Sequence, residues 1–164
     1  MKLHKSTYLI LIALFLATSC GSSSKENDSV SETSEKVSVK KEPITLEEAE
    51  KDWKTNKGIG PVKNVELSAE INQEMAQKGK AIYEAKCTAC HKAEKQFIGP
   101  APKGILKRRT PEWIMNMILN PEGMVAEDPI AKQLLIKFNG SPMANQNLTE
   151  DEARKVLEYF RTLN

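Results

Sequence analysis

Five consecutive residues carry the most specific chemistry in this 164-residue chain: Cys87-Thr88-Ala89-Cys90-His91. Two thiols three positions apart, followed at once by an imidazole, have the spacing that attaches one c-type haem. Each thiol can form a thioether to a haem vinyl group, and the histidine then lies beneath the iron as its proximal ligand. Cysteine and histidine are otherwise scarce, since the remaining ones are Cys20 and His4. A zinc site needs four ligands, so two thiolates and one imidazole fall short unless carboxylates or water complete the set. A dithiol redox site calls for a βαβ setting, and no window alternates β-branched residues as a strand would. Aromatic residues make up only 5% of the chain, a thin supply that a buried macrocycle would supplement.

The elements around this motif begin with a leader. Residues 1–19 open on the basic Met1-Lys2-Leu3-His4-Lys5 and continue with an apolar run from Tyr8 to Ala17. That run is too short to span a bilayer and suits a signal peptide. Leu16-Ala17-Thr18-Ser19-Cys20 follows and resembles the lipobox of bacterial lipoproteins, which implies lipidation of Cys20. Residues 20–43 are rich in Ser, Glu and Lys, with no aromatic residue. Such a stretch cannot bury enough surface to offset its ordering entropy, and it reads as a flexible tether. Lys and Arg total 24 against 22 Asp and Glu, a balance that gives no argument for nucleic acid.

Residues 44–66 form an N-terminal extension. Thr45 with Glu48 fits a capping box, and Leu46, Ala49 and Trp53 share a face, so a helix is expected over 44–54. Lys57-Gly58-Ile59-Gly60-Pro61-Val62 breaks it. The main domain spans 67–164. A helix is expected from about Ser68 into Cys87, with Ile71, Met75, Ile82 and Tyr83 as its apolar positions. Gly79 inside it costs about 1 kcal/mol relative to alanine, unless another helix approaches closely there. Thr110-Pro111 starts a helix carrying Trp113, Met117 and Ile118, and Asn120-Pro121 closes it. Another begins at Asp128-Pro129 and carries Ile130, Leu134, Leu135 and Phe138. Thr149 and Glu152 form a second capping box before the stripe Ala153, Val156, Leu157 and Phe160. The fold class expected is all-α.

With no second histidine in the domain, the iron must take a methionine or keep an open site. Met75 lies on the helix before the motif, and Met115 and Met117 fall within a helix whose apolar face accounts for at least one of them. Met124 and Met143 both read as loop residues and remain the two choices. Met143 follows Gly140-Ser141-Pro142, and a loop can aim a sulfur without opposing helix geometry. Between Lys86 and Arg109 there are seven cations against the single anion Glu94, a patch that would steer an acidic partner. Arg108 or Arg109, with the Trp113 indole N–H, would suit a haem propionate.

Gly79 and Tyr83 before Cys87–His91, then Gly99-Pro100, then Pro142-Met143 before a last helix with Val156 and Tyr159, resemble a class I monohaem cytochrome c over residues 67–164. The resemblance implies a small cytochrome c fold with helices packed around one covalent haem c. It implies that His91 and Met143 are the axial iron ligands, with Met124 as the fallback, and that the Pro100 carbonyl accepts a hydrogen bond from the His91 ring. It implies electron transfer rather than catalysis, by a lipid-anchored carrier facing the periplasm. Its partners would be a quinol-oxidising complex and a terminal oxidase or periplasmic reductase. The alternative is a haem-based sensor or enzyme with an open distal site.

Overall fold

Thr45 caps the first helix, α1 (Leu46–Ala49), through a reciprocal capping box with Glu48. The computed structural model describes residues 44–164, so the leader, Cys20 and the tether lie outside the described residues. The helix expected over 44–54 is a single turn, and the chain runs on through tight turns such as Asn56 N–H to the Asp52 carbonyl. A helix this short is not stable alone and depends on what it packs against. Ala49 reaches the core, and the following loop is bound by side chains from later in the sequence. Asn116, fully buried, accepts from the Val62 N–H at 3.0 Å and donates to the Lys57 and Val62 carbonyls at 2.9 Å each. Asn120 donates to the Ile59 carbonyl, and Asn56 donates to Asp128 at 2.7 Å. These bonds satisfy the polar backbone of a loop that lacks regular structure of its own.

The next helix, α2 (Gln73–Lys86), starts later than expected. Asn72 caps it by accepting from the Met75 N–H, while the Ser68 hydroxyl donates to the Glu70 carbonyl instead. Arg161 also donates to the Ser68, Ala69 and Glu70 carbonyls, which holds this stretch outside the helix. The buried face of α2 is Ala76, Gly79 and Tyr83.

Thr110 caps α3 (Pro111–Leu119), with proline in the first turn. Pro121 ends that helix but also opens α4 (Pro121–Glu127), where a loop is expected around Met124. Asp128 then caps α5 (Pro129–Lys137), accepting from the Ala131 N–H at 2.8 Å. A proline lacks only an N–H that the first turn leaves unpaired, so each of these helices can begin where its predecessor stops.

The last helix, α6 (Glu150–Arg161), has the expected Thr149–Glu152 capping box, and Ala153, Val156 and Leu157 are fully buried. It crosses α2 at Gly79, where a Cβ would sit 1.9 Å from the Lys155 carbonyl oxygen. Tyr83 meets Tyr159 and Phe160 beside this crossing, at ring separations of 5.3 and 5.7 Å. Helices account for all the regular structure, and no strand occurs among the described residues.

Glu158 fastens the same pair of helices. Its side chain is inaccessible to solvent, accepts from the Asn72 N–H at 2.8 Å, and is paired to Arg154 and Arg161 at 2.6 Å each. Burial pushes its carboxyl up, but the hydrogen bonds from Arg154 and Asn72 and the two guanidinium charges outweigh this and hold it below the usual carboxylate range. A depressed carboxylate contributes stability above its unfolded value, near pH ~4.3, and loses it as pH falls through the folded value. Acid unfolding should therefore steepen below about pH 4. Glu158→Gln should cost about 3 kcal/mol at pH 7 and flatten that acid limb, as read by chemical denaturation across pH.

Candidate functional site

The site is built at the C-terminal end of α2. Cys87 closes that helix by donating its N–H to the Tyr83 carbonyl, and the Cys90 and His91 N–H groups both return to the Cys87 carbonyl, at 3.1 and 2.8 Å. This turn puts Cys87, Cys90 and His91 on the wall of one cavity of about 240 Å³. Tyr83 donates to the His91 carbonyl at 3.0 Å, which ties the turn to the α2–α6 crossing. Loss of water around the phenol, then the neighbouring Tyr159 and Cys87, pushes the Tyr83 hydroxyl up to about 12, so it remains a donor at neutral pH. Burial, and then the neighbouring Cys90, also pushes the Cys87 thiol up.

The histidine ring is held from two sides. Its Nδ1 lies 2.8 Å from the Pro100 carbonyl oxygen. A carbonyl only accepts, so Nδ1 carries the proton and Nε2 keeps its lone pair. A Cβ on Gly99 would fall 2.5 Å from the ring Cε1, so the ring rests on bare backbone there. Gly99 is itself fixed by its N–H to the Cys90 carbonyl at 2.9 Å. Ring orientation and tautomer are thus set by the chain.

The rest of the cavity wall is mainly apolar. Ile105, Ile114 and Ile118 contribute from the middle of the chain, Leu134 and Phe138 from α5 and its end, and Val156 and Phe160 from α6. Met143 lines the same cavity from the irregular segment between α5 and α6. The chain enters that segment through Asn139 and Gly140, at φ 57° and 72°, left-handed conformations that reverse its direction.

Met124 is placed differently from its expected position. It lies on α4 rather than a loop, is fully buried, and is absent from the cavity wall. Its sulfur accepts from the Ile59 N–H at 3.0 Å and packs against Gly58, so it serves the N-terminal loop and not the cavity. Trp113 also departs from expectation. It lines the cavity, but its indole N–H donates to Asp128 at 3.0 Å in a buried contact, so it has no proton left for a propionate.

The two arginines both border the cavity. Arg108 is exposed and braced by the carbonyls of Ala101 and Lys103, at 2.7 and 3.0 Å. Arg109 is buried, stacks over Trp113 at 5.2 Å and is paired with Glu50. Sequence reasoning singled out neither Glu50 nor Asn116, and Asp128 entered only as a helix start. Each acts on residues far away in the chain, which leaves no local signal.

A cavity of this size and lining suits a large apolar group. It has two thiols at one end, a histidine whose free nitrogen needs a partner, and a thioether on its wall. That donor set fits a covalently attached haem. Among the described residues, no group of three or more His, Cys, Asp or Glu could hold a metal ion in another way.

Comparison with known proteins agrees with this chemistry. Residues 76–164 match the family Cytochrome c. A solved cytochrome c from Rhodothermus marinus is 44% identical with a TM-score of 0.61, over 63% of this chain and 89% of that one. An engineered cytochrome c from the same organism, Rma TDE, is 43% identical with a TM-score of 0.61, over 63% of this chain and 90% of that one. The same engineered protein bound to a carbene intermediate, 1-ethoxy-1-oxopropan-2-ylidene, is also 43% identical, with a TM-score of 0.59, over 63% of this chain and 89% of that one. A search of the curated proteins gives no match. With more than half its length matched, and with Cys87-Thr88-Ala89-Cys90-His91 as its attachment motif, this chain belongs to the cytochrome c family and binds haem c covalently.

Proposed function

We propose that this cytochrome is a membrane-tethered electron carrier with one His/Met-ligated haem. It would be held at the periplasmic side of the cell envelope by lipid on Cys20. Cys87 and Cys90 would form the thioethers, His91 Nε2 and Met143 Sδ would hold the iron, and Arg108 would be the cation available to a propionate. The observation that carries this reading is that His91 and Met143 wall the same apolar cavity as both cysteines.

When bound, the haem supplies a one-electron iron couple, and thioether ligation favours its reduced form. The chain does the rest. The Pro100 carbonyl holds the His91 proton on Nδ1 and raises the basicity of Nε2. The apolar wall excludes water, and Met143 on the iron would leave no place for a small substrate. Lys86, Lys92 and Lys95 flank the motif in sequence and, with Lys107 further on, would attract an acidic redox partner, which speeds docking at low salt. A lipid-anchored carrier of this kind would run between a quinol-oxidising complex and a terminal oxidase or periplasmic reductase.

The test is an absorption spectrum of the matured protein, oxidised and reduced, with a redox titration. A low-spin spectrum with a far-red iron–sulfur band and a reversible one-electron couple is expected. A high-spin protein that binds carbon monoxide readily would replace the carrier with a sensor or enzyme using an open site.

A further inference from the structure

We infer that Glu50, which lies outside the residues matched to the family, is a positioning residue that lowers the haem reduction potential by gripping Arg109 at the cavity wall. The inference rests on the haem-binding reading above. Glu50 terminates α1, more than fifty residues from Arg109 in sequence. Arg109 donates from Nη2 to the Glu50 carboxylate and from Nη1 to the Arg108 carbonyl. The Arg109 side chain is 5% exposed and that of Glu50 36%, so the arginine is shielded from water while the carboxylate reaches it from the half-exposed side.

Among the described residues, no second carboxylate is ion-paired with Arg109. Trp113 presents only a ring face to it, and Glu50 is the carboxylate paired with it. The neighbouring Arg108 adds a second cation on the same wall. Burial and then the Arg109 charge both disfavour its protonated form, while Glu50 supports it. Glu50 is therefore the anion set against two cations that border the haem site.

The sign follows from charge. Reduction removes one positive charge from the iron, so nearby positive charge favours the reduced form and nearby negative charge opposes it. In a poorly solvated setting such effects are only weakly screened by salt. Neutralising Glu50 leaves Arg109 uncompensated and should raise the potential. Neutralising Arg109 should lower it.

The experiment is a redox titration of the full haem-loaded protein as wild type, Glu50→Gln, Arg109→Gln and Glu47→Gln. Glu47 is an exposed carboxylate on the same helix that does not touch Arg109, and it serves as the control. Glu50→Gln is expected to shift the ratio of oxidised to reduced protein at a fixed ambient potential three- to tenfold toward reduced. A tenfold change is 59 mV for a one-electron couple. Arg109→Gln should shift the ratio the opposite way, and Glu47→Gln should leave it unchanged. A merely structural pair would lower thermal stability in both variants without opposite shifts in potential, and that result would overturn the inference. So would an unchanged potential in Glu50→Gln with a wild-type spectrum. If Glu50→Gln does not fold, the downward shift in Arg109→Gln decides by its presence or absence. Failure of the underlying reading would look different, because the wild type itself would then lack a covalent haem spectrum.

Discussion

Met143→Ala is expected to turn a low-spin protein into one with an open or weakly filled sixth position. The far-red iron–sulfur band should vanish, carbon monoxide should bind, and the reduction potential should fall by on the order of 100 mV, within the ~0.8 V that axial ligands span. The geometry makes the companion prediction equally sharp. Met124→Leu removes a sulfur that accepts from the Ile59 N–H, well inside the packing of α3, α4 and the N-terminal loop. It should cost about 1–2 kcal/mol of stability, from a near-isosteric swap plus one orphaned donor, and leave the spectrum intact. Absorption spectroscopy of both variants, oxidised and reduced, separates the two sulfurs. Loss of the band in Met124→Leu alone would reverse the ligand assignment.

Gly79→Ala should be among the most damaging single-methyl additions in the chain. The new Cβ would lie 1.9 Å from the Lys155 carbonyl oxygen and 2.9 Å from the Val156 nitrogen, both backbone atoms of α6. A flexible side chain could turn aside, but a helix backbone cannot, so α2 and α6 must separate. Alanine gains about 1 kcal/mol of helix propensity over glycine. Overpacking costs of about 1–3 kcal/mol are usual where side chains can adjust, and here none can. A net loss of about 3 kcal/mol is expected, with disturbance of the Tyr83, Tyr159 and Phe160 cluster beside the crossing. Lys80→Ala, one position on and exposed, should stay within about 0.5 kcal/mol. Denaturant unfolding of the two variants makes the comparison, and a Gly79→Ala protein as stable as wild type would mean that the helices do not cross there.

The parts of this protein legible in its sequence are those specified by neighbours along the chain. Cys87, Cys90 and His91 reach one cavity because a turn of that spacing allows little else. Thr45, Thr110 and Thr149 cap helices because a hydroxyl before a helical run reaches N–H groups two or three residues on. The inward face of α6 shows in its periodicity, and the α2–α6 contact shows in a glycine that would otherwise weaken a helix. Tertiary structure decided what depends on distant partners. Ser68 could have capped α2 on local grounds, but its stretch of backbone is held by Arg161, and Asn72 takes the role. Met124 stands as the fallback to Met143 so long as both read as loop methionines, but Pro121 opens a helix and the Ile59 N–H binds the Met124 sulfur. Trp113 and Arg109 carry donors that suit a propionate, yet Asp128 and Glu50 already bind both. Local sequence specifies which groups a residue carries and where its helix turns. Only the folded chain determines which of those groups remain free, because hydrogen-bond partners and buried charges are assigned across the whole molecule.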